Sequence, residues 1–311
     1  MELDLFKADT ETFIKEVSGP NQAKVAEAAG LFIAQKLRER SFARQIITPR
    51  VVTRMDLQVD TDHDQLIFID EKEVNVGPAK AINFKAEPDG RYVTTPRYKI
   101  PIFEIASDIY AKKEIELLAS TQPVTKLIEE NTVREIEETE DSYFLQYVDA
   151  AAAASGNLIT YSTGAGGALT KGALKAGMNL IDSKRLLART VLLSKVTFND
   201  FITMTYQDLG SDLLKEVTVE GYRYYNFGGL KLIVSIKDNL FQHPTLTLAS
   251  GDKARMVYFF AEEKALGRFL VLDATKFGLR RVFTTIEWLG WEFIGMGLGN
   301  TNAVARVTLL D

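Results

Sequence analysis

Residues 123–154 read PVTKLIEENTVREIEETEDSYFLQYVDAAAAA, and this run decides how the rest of the chain is organised. Pro123 sits where the first turn of a helix should be, since the N–H it lacks is one that a helix start leaves unpaired. Leu127, Val133, Ile136, Tyr143, Tyr147 and Ala151 form one stripe, interrupted by the polar stretch Glu137 to Asp141. The opposite face is acidic, with Glu129, Glu130, Glu135, Glu138, Glu140 and Asp141. A narrow stripe beside a broad acidic face predicts a helix lying on a surface, not one wrapped by core. It closes in Ala150 to Ala154, with Ser155-Gly156 as a C-cap region. A helix of about 30 residues spans about 45 Å, longer than a small domain is wide.

Upstream, from about Ser41 to Ile109, the sequence is extended and almost free of helical periodicity. Gln45 to Val59 reads as strand through Ile46, Ile47, Val51, Val52, Met55, Leu57 and Val59, and the polar turn Asp60-Thr61-Asp62-His63-Asp64-Gln65 follows. Leu66 to Val76 is strand again until Gly77-Pro78 breaks it. Asn83 to Glu87 leads into the turn Pro88-Asp89-Gly90. Arg91 to Ile109 is extended, interrupted by Pro96 and Pro101, which lack an N–H and suit edges or loops, not a central strand. The segment is a long hairpin whose exposed edges invite pairing with another chain. Before it, residues 1–19 read as a loose polar arm anchored by Leu3, Leu5, Phe6, Phe13 and Val17. Gly19-Pro20 ends the arm. Asn21 then caps a helix to Arg40, whose Val25, Ala28, Ala29, Phe32, Ile33 and Leu37 recur at helical spacing and pack on the body.

Downstream of the glycine-rich turn Thr163-Gly164-Ala165-Gly166-Gly167 the character changes. Leu169 to Leu187 is helical, Thr190 to Lys195 a short strand, and Phe198 to Asp208 another helix. Val217-Thr218-Val219, Leu230 to Ile236, Met256 to Phe260 and Phe269 to Leu272 read as buried strands. Val282 to Leu310 alternates like antiparallel strands around a turn at Gly295-Met296-Gly297-Leu298-Gly299-Asn300. The fold class is α+β, with no strict βαβ rhythm, no internal repeat and no low-complexity tract beyond Ala150–Ala154.

At 311 residues the chain is long enough for a real core and about two domains. The net charge of −5 comes with no visible basic patch, which argues against a sequence-independent nucleic-acid binder. With no cysteine, disulfides, thiolate metal sites and cysteine nucleophiles are excluded. His63 and His243 lie far apart and make no HxxxH or HExxH pair. The acidic, amphipathic start MELDLFKADTETF is unlike a secretory signal, and no apolar run approaches the roughly 18 residues of a membrane span. A soluble chain made in a cytoplasm is expected.

The motifs that could carry chemistry fail one by one. Asp60 to Gln65, with Ile67 and Glu71 at the eighth and twelfth positions, matches EF-hand ligand spacing. Gln65 replaces the glycine of the sharp turn, however, and the flanks are strands. In Gly164 to Gly172, no glycine stands immediately before Lys171 and Gly172 takes the Ser/Thr position of a phosphate loop, so a flexible joint fits better. Gly295, Gly297 and Gly299 miss the dinucleotide fingerprint because Asn300 stands at its third glycine, with too little chain beyond for a βαβ unit. Glu137, Glu138 and Asp141 read as a solvated charge run without a cleft. Tyr222-Arg223-Tyr224-Tyr225-Asn226-Phe227 reads as a packed strand or subunit contact; without a basic groove, base stacking is the poorer reading. No catalytic, cofactor-binding or metal-ligating residue is expected, and the chain is read as a non-enzyme.

The order of these pieces resembles a major capsid protein of the HK97-fold class of tailed bacteriophages. An N-terminal arm and first strand (1–54) precede an extended loop (55–98). A peripheral domain with its spine helix follows (99–156), then an axial domain (157–272) and a return to the peripheral domain (273–311). Arg281 to Glu292 and Ala303 to Leu309 would rejoin the peripheral sheet, and Gly297 to Val307 is similar to the family's closing strand. The resemblance implies a structural subunit that self-assembles as pentamers and hexamers of an icosahedral head, found in the virion and assembled in the host cytoplasm. It also implies a portal, possible decoration proteins and weak, non-specific contact with packaged DNA. A Met1 start leaves little room ahead of the arm for the scaffolding segment that some members carry, which points to a separate scaffold protein. Lys72, Lys80 and Lys85 lie in the loop without a crosslinking motif, so no crosslink is expected. The alternative is an encapsulin-like compartment shell enclosing a cargo enzyme; the long loop and substantial arm favour the viral head. In either shell the loop would have little core of its own, with Leu66, Ile67, Phe68, Ile69 and Phe84 gaining burial on assembly.

Overall fold

A computed structural model describes residues 26, 29, 41–60, 65–72, 95–119, 124–164, 166–203, 225–227 and 230–311. The helices are α1 (Phe42–Ile46), α2 (Glu114–Ala119), the spine helix α3 (Val124–Ser155), α4 (Lys171–Asp182), α5 (Lys195–Thr203) and α6 (Glu263–Leu266). The first strands are β1 (Arg50–Val52), β2 (Gln58–Asp60), β3 (Gln65–Glu71), β4 (Arg97–Ala106) and β5 (Tyr110–Lys113). Then come β6 (Leu158–Ser162), β7 (Thr190–Ser194), β8 (Tyr225–Phe227), β9 (Leu230–Ser235), β10 (Gln242–Thr247) and β11 (Lys253–Phe260). The last are β12 (Gly267–Val282), β13 (Thr285–Leu298) and β14 (Val304–Leu310).

The described strands form two sheets. The first runs β1-β12-β13-β4-β3-β2, with β5 also on β13; the second runs β6-β14-β11-β7-β9-β8, with β10 on β11. One continuous core joins the second sheet, the spine helix and the inner face of the first, through residues such as Phe144, Val148, Phe259, Phe269 and Trp288. A small separate core of Val52, Ile100, Ile102, Leu270 and Leu272 lies where the extended loop leaves the first sheet.

The spine helix forms as expected and ends in a Schellman motif. Gly156 takes φ 71°, its N–H bonds Ala153 O at 3.2 Å, and the Asn157 N–H bonds Ala152 O at 2.9 Å. This pairs two carbonyls that the helix end leaves open. Asn157 is buried, and its Nδ2 donates to Val304 O at 3.0 Å and Asn302 O at 3.3 Å, fastening the helix end to the start of β14.

Several expectations need correction. Gln45 to Val59 is not one strand. Ser41 caps a short helix by accepting from the Arg44 N–H, and Phe42, Ala43 and Ile46 bury against the core. Cap and burial together outweigh the β-propensity of Ile46-Ile47. Pro101 is inside β4, not at a loop: residues 97–101 pair with β3 and residues 102–106 with β13. It stands where the strand changes partners, so its missing N–H interrupts neither ladder. Gly295 and Gly297 lie within β13, not in a turn, because side chains of β4 fill the space their Cβ atoms would need. A Cβ at either would come within 2.6 Å of Ile102 or Ile100.

The boundary expected at 272/273 falls within β12, which belongs to the first sheet from Gly267 on. The closing strand β14 sits in the second sheet between β6 and β11, not in the first. The parallel β6–β14 ladder follows from the anchoring of Asn157 to Val304. The loop base is also better packed than expected: Ile67 is buried and Phe68 joins the small core, although Leu66 remains exposed. Of the predicted helix 21–40, Ala26 and Ala29 are helical and Ala29 is buried. The rest of that helix, the arm 1–19, the turn positions 61–64, the stretch Val76 to Thr94, Val217 to Val219 and Tyr222 to Tyr224 lie outside the described residues.

Candidate functional site

The spine helix is where sequence and structure differ most. Its buried positions run Ile128, Thr132, Val133, Ile136, Glu137, Glu140, Asp141, Phe144, Leu145, Val148, Ala151 and Ala152. This is one unbroken helical stripe, and the acidic stretch is part of it. Leu127 and Tyr143, placed on the apolar stripe from sequence, are each about two-fifths exposed. Glu140 and Asp141, assigned to a solvated face, are fully buried. The reason is a set of partners from distant chain segments.

Arg44 Nε and Nη2 clamp Glu140, with Nη2 2.7 Å from Oε2, and the same Nη2 lies 2.7 Å from Glu292 Oε2. Lys237 Nζ sits 2.6 Å from Asp141 Oδ2 and 2.9 Å from Glu137 Oε1. Ser41 Oγ lies 2.6 Å from Glu140 Oε1 and 2.9 Å from Asp141 Oδ1, and Asp141 Oδ1 also accepts from the Ala43 N–H. Arg44 stacks over Phe269 and Lys237 over Phe42. The cluster joins α1, the spine helix, β13 and the turn after β9, so it ties both sheets to the spine.

Burial pushes the Asp141 carboxyl up to about 7, against the pull of Lys237 and with the help of Glu140. Glu292 also rises to about 7 through burial, although Arg44 opposes the rise. Burial works against the Arg44 charge, but Glu140 and Glu292 outweigh it and hold the guanidinium above its ordinary value. Sequence reasoning missed Glu292, yet a signal was present. It occupies the inward position of the β13 alternation Ile286, Trp288, Gly290, Glu292, Ile294.

The motifs weighed from sequence are taken up structurally. Asp60 pairs with Lys99 at 3.0 Å and Glu71 with Arg97 at 3.4 Å, both across the β2-β3-β4 ladder, so the two ends of the EF-hand-like spacing face different partners. Thr170 caps α4 at Lys171, which is the first residue of that helix. Of the three spine carboxylates, Glu137 and Asp141 share Lys237, while Glu138 stays exposed beside Asn239. Tyr225 to Phe227 form β8, the edge of the second sheet. His243 Nδ1 accepts from the backbone N–H groups of Thr245 and Leu246 within β10. Among the described residues, no three His, Cys, Asp or Glu side chains converge on a metal-sized site, and no helix is long and apolar enough to cross a membrane.

The outer surface carries large apolar side chains at widely separated points. Met55 at the loop base is 98% exposed, Phe283 at the β12–β13 tip 92% and Ile236 86%. Phe283 also holds φ 55° in a two-residue turn, a position where glycine is usual. None of the three is packed among the described residues.

No protein-family model matches the chain, and no curated protein matches it in sequence. Solved structures match it in fold. A structure from Microbacterium phage Oxtober96 gives a TM-score of 0.58 at 11% identity, covering 88% of this chain and 91% of that one. The capsid structure of the cyanophage P-SCSP1u gives 0.57 at 13% identity, over 86% of each chain. A virus-like particle from Pyrococcus furiosus gives 0.53 at 15% identity, over 91% of this chain and 97% of that one. The chain has the HK97-like capsid fold, a mixed α+β arrangement in which the described residues form two sheets and a long spine helix.

Proposed function

We propose that this chain is the major capsid protein of a tailed bacteriophage, a non-catalytic subunit that assembles as pentamers and hexamers into an icosahedral head around DNA. The observation that carries this reading is two-sided coverage. The match takes in 86% of this chain and 86% of a cyanophage capsid chain, so whole subunits correspond, not a shared fragment.

In this reading residues 55–98 are the loop that reaches a neighbour. The first sheet and the spine helix form the peripheral domain, and the second sheet, closed by β14, forms the axial one. Many weak contacts repeated around a closed symmetric shell add up to a stable particle. The mild negative charge lets packed DNA slide over the inner wall instead of adhering. A separate scaffold protein, a portal and decoration proteins are the expected partners in the head.

Electron microscopy of the purified chain, alone and co-expressed with its scaffold, tests the proposal. Closed icosahedral shells are the expected result; a chain that stays a small folded monomer in every condition overturns it. A second reading keeps the fold and changes the contents, an encapsulin-like shell around a cargo enzyme, and the near-complete match to a virus-like particle is the observation on its side. Terminase and portal genes beside this one select the phage head, and a ferritin-like or peroxidase gene selects the compartment.

A further inference from the structure

The cluster at the centre of the spine helix holds more carboxylates than cations. Glu137, Glu140, Asp141 and Glu292 face Arg44 and Lys237, and all six are buried or nearly so. By element, the facing groups are Ser41 and Arg44 from the N-terminal turn, and Glu137, Glu140 and Asp141 from the spine. Lys237 comes from the turn after β9, Thr275 from β12 and Glu292 from β13. Full ionisation would leave two uncompensated negative charges among Phe42, Phe144 and Phe269. Burying charges without partners is costly, and carboxylates that share a site keep a proton.

The hydrogen bonds independently place one of the protons that this surplus calls for. Ser41 Oγ is within bonding distance of both Glu140 Oε1 and Asp141 Oδ1. A hydroxyl has one proton to give. Glu140 accepts from two nitrogens of Arg44 and lies nearer to Ser41 Oγ, at 2.6 Å against 2.9 Å for Asp141, so Ser41 donates to Glu140. The contact between Ser41 and Asp141 then needs a proton from Asp141.

We propose that this cluster is a proton-operated latch. A proton on Asp141 locks the Ser41–Ile46 turn onto the spine helix, and its loss in mild alkali releases the turn. The sign follows from the elevated carboxyls. In the folded chain Asp141 and Glu292 keep protons up to about pH 7, whereas unfolded carboxyls lose theirs near pH 4. Between those values the folded state binds more protons, so stability falls as pH rises and the loss is complete above the folded value. The latch is closed in mild acid and weakened in alkali. It lies within one subunit, so its test does not depend on shell formation.

Amide hydrogen exchange on the full chain, corrected for the intrinsic pH dependence of exchange, reads the latch at Ala43, Arg44 and Ile47. From about pH 6 to about pH 8.5 their protection is expected to fall by roughly tenfold, while α4 amides hold theirs. Asp141→Asn keeps an uncharged donor beside Ser41 and should hold the turn protected across the range. Infrared spectroscopy gives a second readout on the unaltered protein: a protonated-carboxyl band near pH 6 that fades by about pH 8.5. That band decides the matter if Asp141→Asn does not fold. No protonated carboxyl near pH 6, or an unchanged pH-dependent loss in Asp141→Asn, overturns the proposal.

Discussion

Thr132 of the spine helix and Gly290 of β13 meet so closely that a Cβ built on Gly290 would lie 2.3 Å from Thr132 Cγ2. Helix and sheet touch here with no side chain from the strand between them. Gly290→Ala should force the two apart and destabilise the subunit by about 1–3 kcal/mol, the usual cost of overpacking. Thr132→Ser removes the opposing methyl, so the double variant should recover most of the loss. Denaturant unfolding of the four chains in a double-mutant cycle measures it, and additive effects would show that the contact is not the cause.

Asn157 fixes the end of the spine to the closing strand through two bonds from one buried amide. Asn157→Ala removes both and leaves Val304 O without that donor in the core. The expected loss is about 2 kcal/mol, read as a lower denaturant midpoint with an unchanged slope. A cost within error would mean that the amide holds nothing the backbone bonds do not already hold.

Phe283 has a strained φ and almost full exposure, and both features disfavour it in an isolated subunit. Phe283→Gly relieves a backbone cost of about 1–2 kcal/mol, offset by the entropy of glycine, so subunit stability should stay level or rise slightly. Assembled shells of the same variant should dissociate at lower denaturant than the parent. A clear drop in subunit stability would place the side chain in an intramolecular contact instead.

The Lys72 N–H bonds Pro96 O at 2.7 Å, closing the base of the extended loop. Lys72 and Pro96 therefore stand beside one another, so a short turn can replace the stretch from Val76 to Thr94 between them. That deletion should leave thermal unfolding of the subunit nearly unchanged while stable shells fail to form. Shells of normal yield from the deletion would end the idea that this stretch clamps a neighbour.

Local signals carried much of the fold. The spine helix was legible from its proline start, its length and its glycine stop, and β13 from its strict alternation. The interior of the spine was not. Glu140 and Asp141 belong to the same helical stripe as Val133, Ile136, Phe144 and Val148, but a charge is placed in a core only when its partners are known. Those partners are Ser41, Arg44 and Lys237; Arg44 is 96 positions from Glu140, and Lys237 is 96 from Asp141. The placement of β14 was hidden for a similar reason, since strand order depends on pairing between residues far apart in sequence. Gly295 and Gly297 read as a turn because glycine in a sequence does not say whether it bends the chain or makes room for a neighbour.

The change of partner along β4 has a mechanical consequence. Its first half is laced to β3 and its second half to β13, with Pro101 between. Tension drawn along the loop passes down the β4 backbone and enters β13 through the five register pairs from Ile102–Gly295 to Ala106–Trp291. Those bonds lie across the strand axis, so they share a lengthwise load in shear instead of yielding one at a time as in peeling. At Gly290, one residue beyond the last of those pairs, β13 bears on the spine helix. A pull on β4 is thus delivered through β13 to the spine helix, and strand and helix answer an external force as one strut.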